Sequence, residues 1–336
     1  IEINDDIRSL TSVVCHSLSD VPDIIDTWNE GKVADVEGYY ENAKINRVYV
    51  DRVHVKKAFA EYTAAYNADD PKIKLKIDHT YRVAALCERI AKAAGMCAYD
   101  VELAWLSGML HDVGRFEQIK RYNTFSDADS VDHAKFGADL LFKDGLISTF
   151  LKGMVKCTGY KPGALEDRYD SDGVFLYDRL NKSDMEMLEL AIRCHNMYRI
   201  PQGLNSREQA FCNVLRDADK VDIFKVNIDT PLEEIYNTTT EELMKSNITD
   251  EVLEAFDEEH CILKAIRRTP ADTVIGHVSL AYELVYDESV RITVEQGYLA
   301  KLMHFHSDNE ETNRKMAMVR EKMDSYVKKR IGEKDA

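Results

Sequence analysis

Helical periodicity is the sequence feature that most limits how this chain can fold. Apolar residues recur at three- and four-residue spacing along most of the chain, whereas the apolar–polar alternation typical of strands is scarce. Residues that interrupt helices are also few, with 6 Pro and 15 Gly among 336 residues. The pattern predicts a nearly all-α protein, with a central helical bundle between N-terminal and C-terminal helical additions.

Start and stop signals predict where the helices of the bundle lie. We expect one helix from Asp70-Pro71 to Gly95, a second from Asp100 as its cap to about Gly114, and a third over residues 132–143. Two later helices are expected to begin at Ser183, which forms a capping-box pattern with Glu186, and at Ser206, the latter reaching about Lys225. Three more are expected over residues 251–267, 277–286 and 313–331.

Charge and cysteine content limit the classes of function. The chain carries 44 Lys and Arg against 60 Asp and Glu, and a formal net charge of −16 opposes nonspecific binding to nucleic acid or an anionic membrane. No uncharged apolar run approaches the roughly 18 residues of a membrane span. The first six residues, IEINDD, carry acids where a secretory signal has bases, and the 7 Cys are scattered without a C-x-x-C pair. We therefore expect a cytoplasmic protein with reduced thiols.

Six histidines and aspartates stand out because of their place along the predicted helices. Most of them share a helix face with an apolar residue three or four positions away, so they point into the bundle. Polar groups in such a core cost several kcal/mol unless they are paired or bind a metal. Four nitrogen and two oxygen donors from facing helices favour iron, manganese or a similar metal. The six residues are His79, His111, Asp112, His133, His195 and Asp219.

The order of these residues resembles that of a known family. His79, the adjacent pair His111-Asp112, and Asp219 match the HD superfamily of metal-dependent phosphohydrolases. The additional His133 and His195 are similar to those of its two-metal branch, which includes the HD-GYP phosphodiesterases and bacterial diadenosine-tetraphosphate hydrolases. The resemblance covers about residues 71–228, which makes them the predicted HD core between extensions over residues 1–70 and 229–336.

The resemblance also implies a division of the ligands between two ions. His79, His111, Asp112 and Asp219 would bind one divalent metal, and His133 and His195 would join the second, with Asp112 bridging both. Asp219 is preferred to Asp217 because Ala218-Asp219-Lys220-Val221 fits the Ala-Asp-x-aliphatic ending of the family. Iron or manganese is expected, with magnesium, cobalt, nickel and zinc as alternatives, and the number of ions, one or two, stays open.

Residues near the predicted ligands are candidates for contact with a substrate. Arg115 stands where the family often has Lys, and its guanidinium could fork onto a phosphoryl oxygen. Lys135 is a second candidate, although on a helix it would face away from His133. The loop over residues 161–179 is a candidate lid. Gly159-Tyr160 is followed by Lys161 rather than Pro, so a Gly-Tyr-Pro motif is missing and a cyclic dinucleotide substrate is disfavoured.

These observations together predict an enzyme. We expect a metal-dependent phosphohydrolase that cleaves a phosphomonoester, phosphodiester or phosphoanhydride bond of a small metabolite, with a nucleotide favoured. The expected mechanism has the metals acidify a water molecule that attacks phosphorus, with Asp112 as the bridging ligand. Two alternatives stay open: a di-iron oxygenase of the same superfamily acting on a polyol or phosphonate, and a nonenzymatic nucleotide sensor. Association into a homo-oligomer is also open.

Overall fold

Helices make up the regular structure of the described chain. The computed structural model describes residues 50–67, 69–151, 182–236 and 238–332, and no strand occurs among them. The predicted all-α fold is therefore confirmed. The helices that surround the site are α1 (Arg52–Thr63), α2 (Pro71–Ala93), α3 (Ala98–Leu110), α4 (Val113–Tyr122), α5 (His133–Ala138), α6 (Ile147–Phe150), α7 (Lys182–Cys194) and α8 (Ser206–Asp229).

The C-terminal part continues with shorter helices and ends with a long one. They are α9 (Leu232–Tyr236), α10 (Thr240–Lys245), α11 (Asp250–Asp257), α12 (Pro270–Val278), α13 (Asp287–Gln296), α14 (Tyr298–Met303) and α15 (Glu310–Ile331). A π-helical turn, Asp139–Lys143, continues α5, and 3₁₀ turns cover Lys264–Ile266 and Ser279–Glu283. Residues 50–151 and 182–332 belong to one compact unit, and the predicted boundaries near residues 70 and 228 stay a prediction.

Caps explain several of the helix starts. Asp70 accepts a hydrogen bond from the backbone N–H of Lys72 at 2.9 Å, with Pro71 at the first helical position, so α2 begins as predicted. Asn205 and Glu208 form a reciprocal capping box at the start of α8. These caps fix the register of the two longest helices of the site.

Several sequence expectations about helix bounds were wrong, including the end of the second helix, which is Leu110 rather than about Gly114. Helix α3 begins at Ala98, so Asp100 lies in its first turn rather than at its cap, and Ser183 lies inside α7 because that helix already includes Lys182. The helix expected over residues 251–267 ends at Asp257, since Glu259 adopts a left-handed backbone with φ of 52°. The helix expected over 277–286 is instead the end of α12 followed by a 3₁₀ turn.

Helices α2 and α3 pack closely against each other. A Cβ atom on Gly108 would lie 2.6 Å from Cα of Ala84, so only glycine allows the two backbones to approach this closely. Helix α8 packs against α2, and α7 packs against both α8 and α5. Fully buried Leu106, Phe116 and Phe211 belong to the apolar core around these contacts. The bundle therefore places the middle of α2, the end of α3 and the middle of α8 beside one another.

A candidate metal centre

Asp112 lies between two pairs of histidines. Its Oδ2 is 3.5 Å from Nε2 of His79 and 3.5 Å from Nε2 of His111. Its Oδ1 is 3.5 Å from Nε2 of His133 and 3.8 Å from Nε2 of His195. The Asp112 side chain is only 2% exposed. One buried carboxylate thus presents a different oxygen to each pair.

Asp219 adds a second carboxylate to one side of this cluster. Its Oδ1 lies 3.2 Å from Nε2 of His79 and 3.9 Å from Nε2 of His111. The structure therefore brings all six predicted ligands together. His79, His111 and Asp219 lie on one side, His133 and His195 lie on the other, and Asp112 lies between them. Asp217, the aspartate that the sequence disfavoured, points instead at the backbone N–H groups of Val285 and Tyr286.

The helices present these side chains from their ends and from their middle turns. Asp112 occupies the N-cap position of α4, but its side chain makes no capping hydrogen bond and turns into the cluster. His133 is the first residue of α5. A Cβ on Gly114 would lie 2.4 Å from the carbonyl oxygen of His133 and 2.7 Å from N of Gly137. The missing side chain at residue 114 therefore lets α5 bring His133 up to Asp112.

Carboxylates hold two of the four imidazole rings in place. Nδ1 of His79 donates to Oδ2 of Asp222 at 2.6 Å, and Arg82 donates to both oxygens of the same carboxylate. Nδ1 of His133 donates to Oδ2 of Asp127 at 2.7 Å. In both cases the partner fixes the ring so that Nε2 faces the cluster, which is the arrangement found around protein-bound metals.

Backbone carbonyl groups hold the other two rings. Nδ1 of His111 donates to the carbonyl oxygen of Gly108 at 2.8 Å, and Nδ1 of His195 donates to that of Ile192 at 2.7 Å. A carbonyl oxygen only accepts, so these Nδ1 atoms carry the proton and each Nε2, in the neutral ring, carries a lone pair.

The His133–His195 pair shows why this cluster fits a cation. Burial lowers the pKa of His195 to about 3, and burial together with Arg115 lowers the pKa of His133. Both rings are thus neutral at physiological pH, yet their Nε2 atoms lie 3.0 Å apart. Two lone pairs at that distance repel each other unless a positive charge sits beside both, so the donor set fits a metal ion.

The pKa shifts of the residues on the other side of the cluster also favour a bound cation. Although burial alone would raise it, the pKa of Asp112 is held well below its usual range by Lys76 and His111. Burial likewise opposes ionisation of Asp219, but contact with His79 lowers its pKa. His79 is buried, yet Asp219 and Asp222 raise its pKa. Two ionised carboxylates therefore draw a proton or a metal ion into the same small space.

A third set of possible donors lies next to His133 but is already engaged. Asp127, Asp132 and His133 have side-chain donor atoms within 4.8 Å of one another. Oδ2 of Asp127 accepts from His133, its Oδ1 accepts from Arg115, and Asn196 donates to Asp132. These hydrogen bonds support the second histidine pair rather than form a further site.

The two predicted substrate-contacting cations have different surroundings. Nη1 of Arg115 donates to Asp127 at 2.9 Å and to the carbonyl oxygen of Phe125, while its Nε is buried, lies 3.7 Å from Oδ1 of Asp112 and makes no hydrogen bond with the described residues. The structure does not bring Lys135 to the cluster: its side chain is 57% exposed and its Nζ lies 2.9 Å from Asp132. The predicted lid over residues 161–179 lies outside the described residues.

Sequence reasoning missed three residues at the centre. Nζ of Lys76 lies 2.7 Å from Oδ2 of Asp112, and Asp222 and Asp127 orient histidines. Lys76 stands three residues before His79, and Asp222 three residues after Asp219, so helical spacing could have found both.

Comparison with known proteins identifies the core of the fold. Residues 77–227 match the family model of the HD domain, and this range includes all six clustered side chains. Neither the curated proteins nor the solved structures that were searched contain a match.

Proposed function

We propose that this chain, which carries an HD domain of the metal-dependent hydrolase superfamily, is a phosphohydrolase that acts on a small phosphorylated metabolite, with a nucleotide favoured. The observation that carries the proposal is the position of Asp112, whose two oxygens face two separate pairs of imidazole nitrogens. A pair of divalent ions, which these residues would hold, suits hydrolysis of phosphoesters.

Each ligand has a proposed place. His79, His111, Asp112 and Asp219 would hold one ion, and His133, His195 and the other oxygen of Asp112 would hold a second. When bound, such ions acidify a water molecule and neutralise charge on the phosphoryl oxygens. Nitrogen and carboxylate donors without a thiolate favour iron or manganese over a structural zinc site.

The proposed reaction is hydrolysis of a phosphoester bond. Water oxygen forms a bond to phosphorus, the ester P–O bond breaks, and the leaving oxygen takes a proton, giving an alcohol and inorganic phosphate when the substrate is a monoester. Asp222 and Asp127 hold the rings of His79 and His133 so that the lone pairs stay aimed inwards.

Arg115 is proposed to donate a hydrogen bond to the phosphoryl group of the substrate. Its Nε is buried beside Asp112 without a hydrogen bond to the described residues, which leaves one donor for a non-bridging oxygen of the substrate. Lys135 is left out of this proposal, because its exposed side chain pairs with Asp132.

The net charge of the chain favours a small substrate over a polymeric one. A net charge of −16 disfavours a nucleic-acid polymer. Among the described residues, no helix has the length and apolar character needed to cross a bilayer. A cytoplasmic location and assembly into a homo-oligomer stay predictions.

The test combines metal analysis with turnover. Protein purified without a chelating tag would be analysed for metal content and then assayed for phosphate release from a panel of nucleotides and aryl phosphates. We expect close to two ions per chain and metal-dependent phosphate release. Asp112→Ala should lose both ions and turnover, whereas Asp129→Ala, an exposed aspartate, should keep both.

Other outcomes would reject the proposal. Oxygen consumption with a polyol or phosphonate, and no phosphate release, would favour a di-iron oxygenase, since the same six donors suit that chemistry. Nucleotide binding by the fully metallated protein without any turnover would favour a sensor.

A further inference from the structure

Lys76 reaches the candidate metal centre from the same face of α2 as His79. The two residues are three positions apart, so they are neighbours on the helix surface. Nζ of Lys76 lies 2.7 Å from Oδ2 of Asp112, the oxygen that faces His79 and His111. The Lys76 side chain is 16% exposed, so most of it is buried beside this carboxylate.

Two other cations near the centre, Arg82 and Arg115, already pair with carboxylates outside the predicted ligand set. Arg82 forms a two-point contact with Asp222, and Arg115 forms an ion pair with Asp127 at 2.9 Å. Among residues 50–67, 69–151, 182–236 and 238–332, Lys76 pairs only with Asp112, which is itself a predicted metal ligand. Metal binding to Asp112 would therefore leave the positive charge of Lys76 without a matching anion.

The balance of charge at the loaded centre depends on this amine. Two divalent ions on Asp112 and Asp219, with four neutral imidazoles, would leave an excess of two positive charges. Lys76 raises that excess to three. A phosphomonoester dianion together with a hydroxide ion carries three negative charges, whereas a phosphodiester with a hydroxide ion carries two. In a buried site, the better match of charge is strongly favoured.

We propose that Lys76 donates to a non-bridging oxygen of the substrate phosphoryl group and makes the site selective for terminal, doubly charged phosphomonoesters over phosphodiesters. The inference rests on the proposed phosphohydrolase function and narrows its substrate class. A carboxylate oxygen has two lone pairs, so Asp112 can serve as a ligand while Lys76 stays beside it. Phe125, whose ring centroid lies 5.5 Å from Nζ of Lys76, limits where the amine can move.

The experiment compares Lys76→Met with Lys76→Arg and with Lys74→Met. Lys74 lies on the same helix with an exposed side chain, and its substitution removes the same charge away from the centre. Metal content is measured first for each protein. Calorimetry on the manganese-loaded proteins then measures binding of inorganic phosphate, a dianion at pH 8, and of dimethyl phosphate, a monoanion. Hydrolysis of p-nitrophenyl phosphate and of bis(p-nitrophenyl) phosphate is measured on the same samples.

We expect every variant to keep its metals. Loss of a charge-assisted hydrogen bond should weaken phosphate binding to Lys76→Met by about tenfold or more, with little change for dimethyl phosphate. Its kcat/KM should fall much further for the monoester than for the diester, Lys76→Arg should recover part of both losses, and Lys74→Met should match the wild type.

Three results would overturn the inference: equal losses for dianion and monoanion, no loss in Lys76→Met, or loss of metal in Lys76→Met and Lys76→Arg alike. The last would mean that Lys76 supports the ligand Asp112 rather than the substrate. Failure of the wild type to hydrolyse either ester would instead reject the phosphohydrolase proposal, while the comparison of phosphate with dimethyl phosphate would still decide the role of Lys76.

Discussion

Nε2 of His133 lies 3.0 Å from Nε2 of His195, while Nδ1 of each ring already donates to another group. Neither ring carries a proton between the two nitrogens, because the pKa of each is lowered. The contact is unfavourable by itself and becomes favourable when a cation takes both lone pairs. The second pair of donors is therefore arranged as a bound metal ion would require.

Metal binding should accordingly raise stability. An ion that binds only the folded chain stabilises it by about 2.7 kcal/mol at 100 times its Kd. We expect Mn²⁺ added to chelator-treated protein to raise the Tm, with a smaller rise and one ion fewer in His195→Gln. The exposed His304 provides the control, and His304→Gln should respond as the wild type does. Equal responses of the two variants, measured by scanning calorimetry, would count against a metal at His195.

Loss of a carboxylate behind a histidine should weaken metal binding without removing a ligand. Asp127→Asn leaves Nδ1 of His133 with a weaker acceptor, and we expect the affinity of the second ion to fall about 10–100-fold. Competition with a chelator of known affinity measures this change. Asp129→Asn, two residues away and exposed, should leave the affinity unchanged, and an equal loss in both would contradict a positioning role for Asp127.

Asp217 and Asp219 should respond in opposite ways to substitution, although both lie on α8. Asp217 accepts hydrogen bonds from the N–H groups of Val285 and Tyr286 and from the Ser289 hydroxyl. Asp217→Ala should therefore cost about 3 kcal/mol or more of unfolding free energy, because it strands buried donors. Asp219→Ala should instead lose metal while keeping its stability in chelator. Urea unfolding in chelator and metal analysis together separate the two roles, and a loss of metal in Asp217→Ala alone would reverse the assignment.

Helical spacing explains why so much of the centre could be predicted from sequence. His79 and Asp219 each share a face of a long helix with apolar neighbours, and the short segment that holds His111 and Asp112 follows such a helix directly. The same helical spacing places Lys76 on the face of His79, one turn earlier.

Other parts of the centre depend on tertiary contacts that no local pattern encodes. Asp127 lies in the irregular segment between α4 and α5, so helical periodicity gives no indication that it meets His133. The helix bounds near Asp257 and Val278 were missed because the apolar pattern continues through the 3₁₀ turns.

Gly114 should be intolerant of a side chain. Its Cβ would lie 2.4 Å from the carbonyl oxygen of His133, so Gly114→Ala should force α4 and α5 apart and cost about 1–3 kcal/mol. The same shift should weaken metal binding at His133. Gly137→Ala, whose Cβ would meet its nearest atom at 3.0 Å, provides a milder comparison. Unfolding free energies and metal affinities that are the same for the two variants would contradict this account.

His277 should make the stability of the chain depend on pH. Its Nδ1 is buried and makes no hydrogen bond to the described residues, and burial together with the charges of Arg267 and Lys264 lowers its pKa to about 3. The unfolded chain has an ordinary histidine pKa of about 6.5 there. Between these values the unfolded state binds a proton that the folded state does not, so this contribution to stability is present above pH 6.5 and is lost as the pH falls towards 3.

Replacement of His277 should remove its contribution to the pH dependence of the free energy of unfolding. Since the ring lies 5.6 Å from the Tyr236 ring, His277→Phe keeps an aromatic group at the site. Urea unfolding in chelator at several pH values from 7.5 to 4.5 should give a wild-type free energy that falls more steeply than that of the variant, by up to about 1 kcal/mol per pH unit. The two proteins differ only at residue 277, so the difference between the curves isolates His277. A His277→Phe curve parallel to that of the wild type would mean that the folded chain protonates His277 at its ordinary pKa.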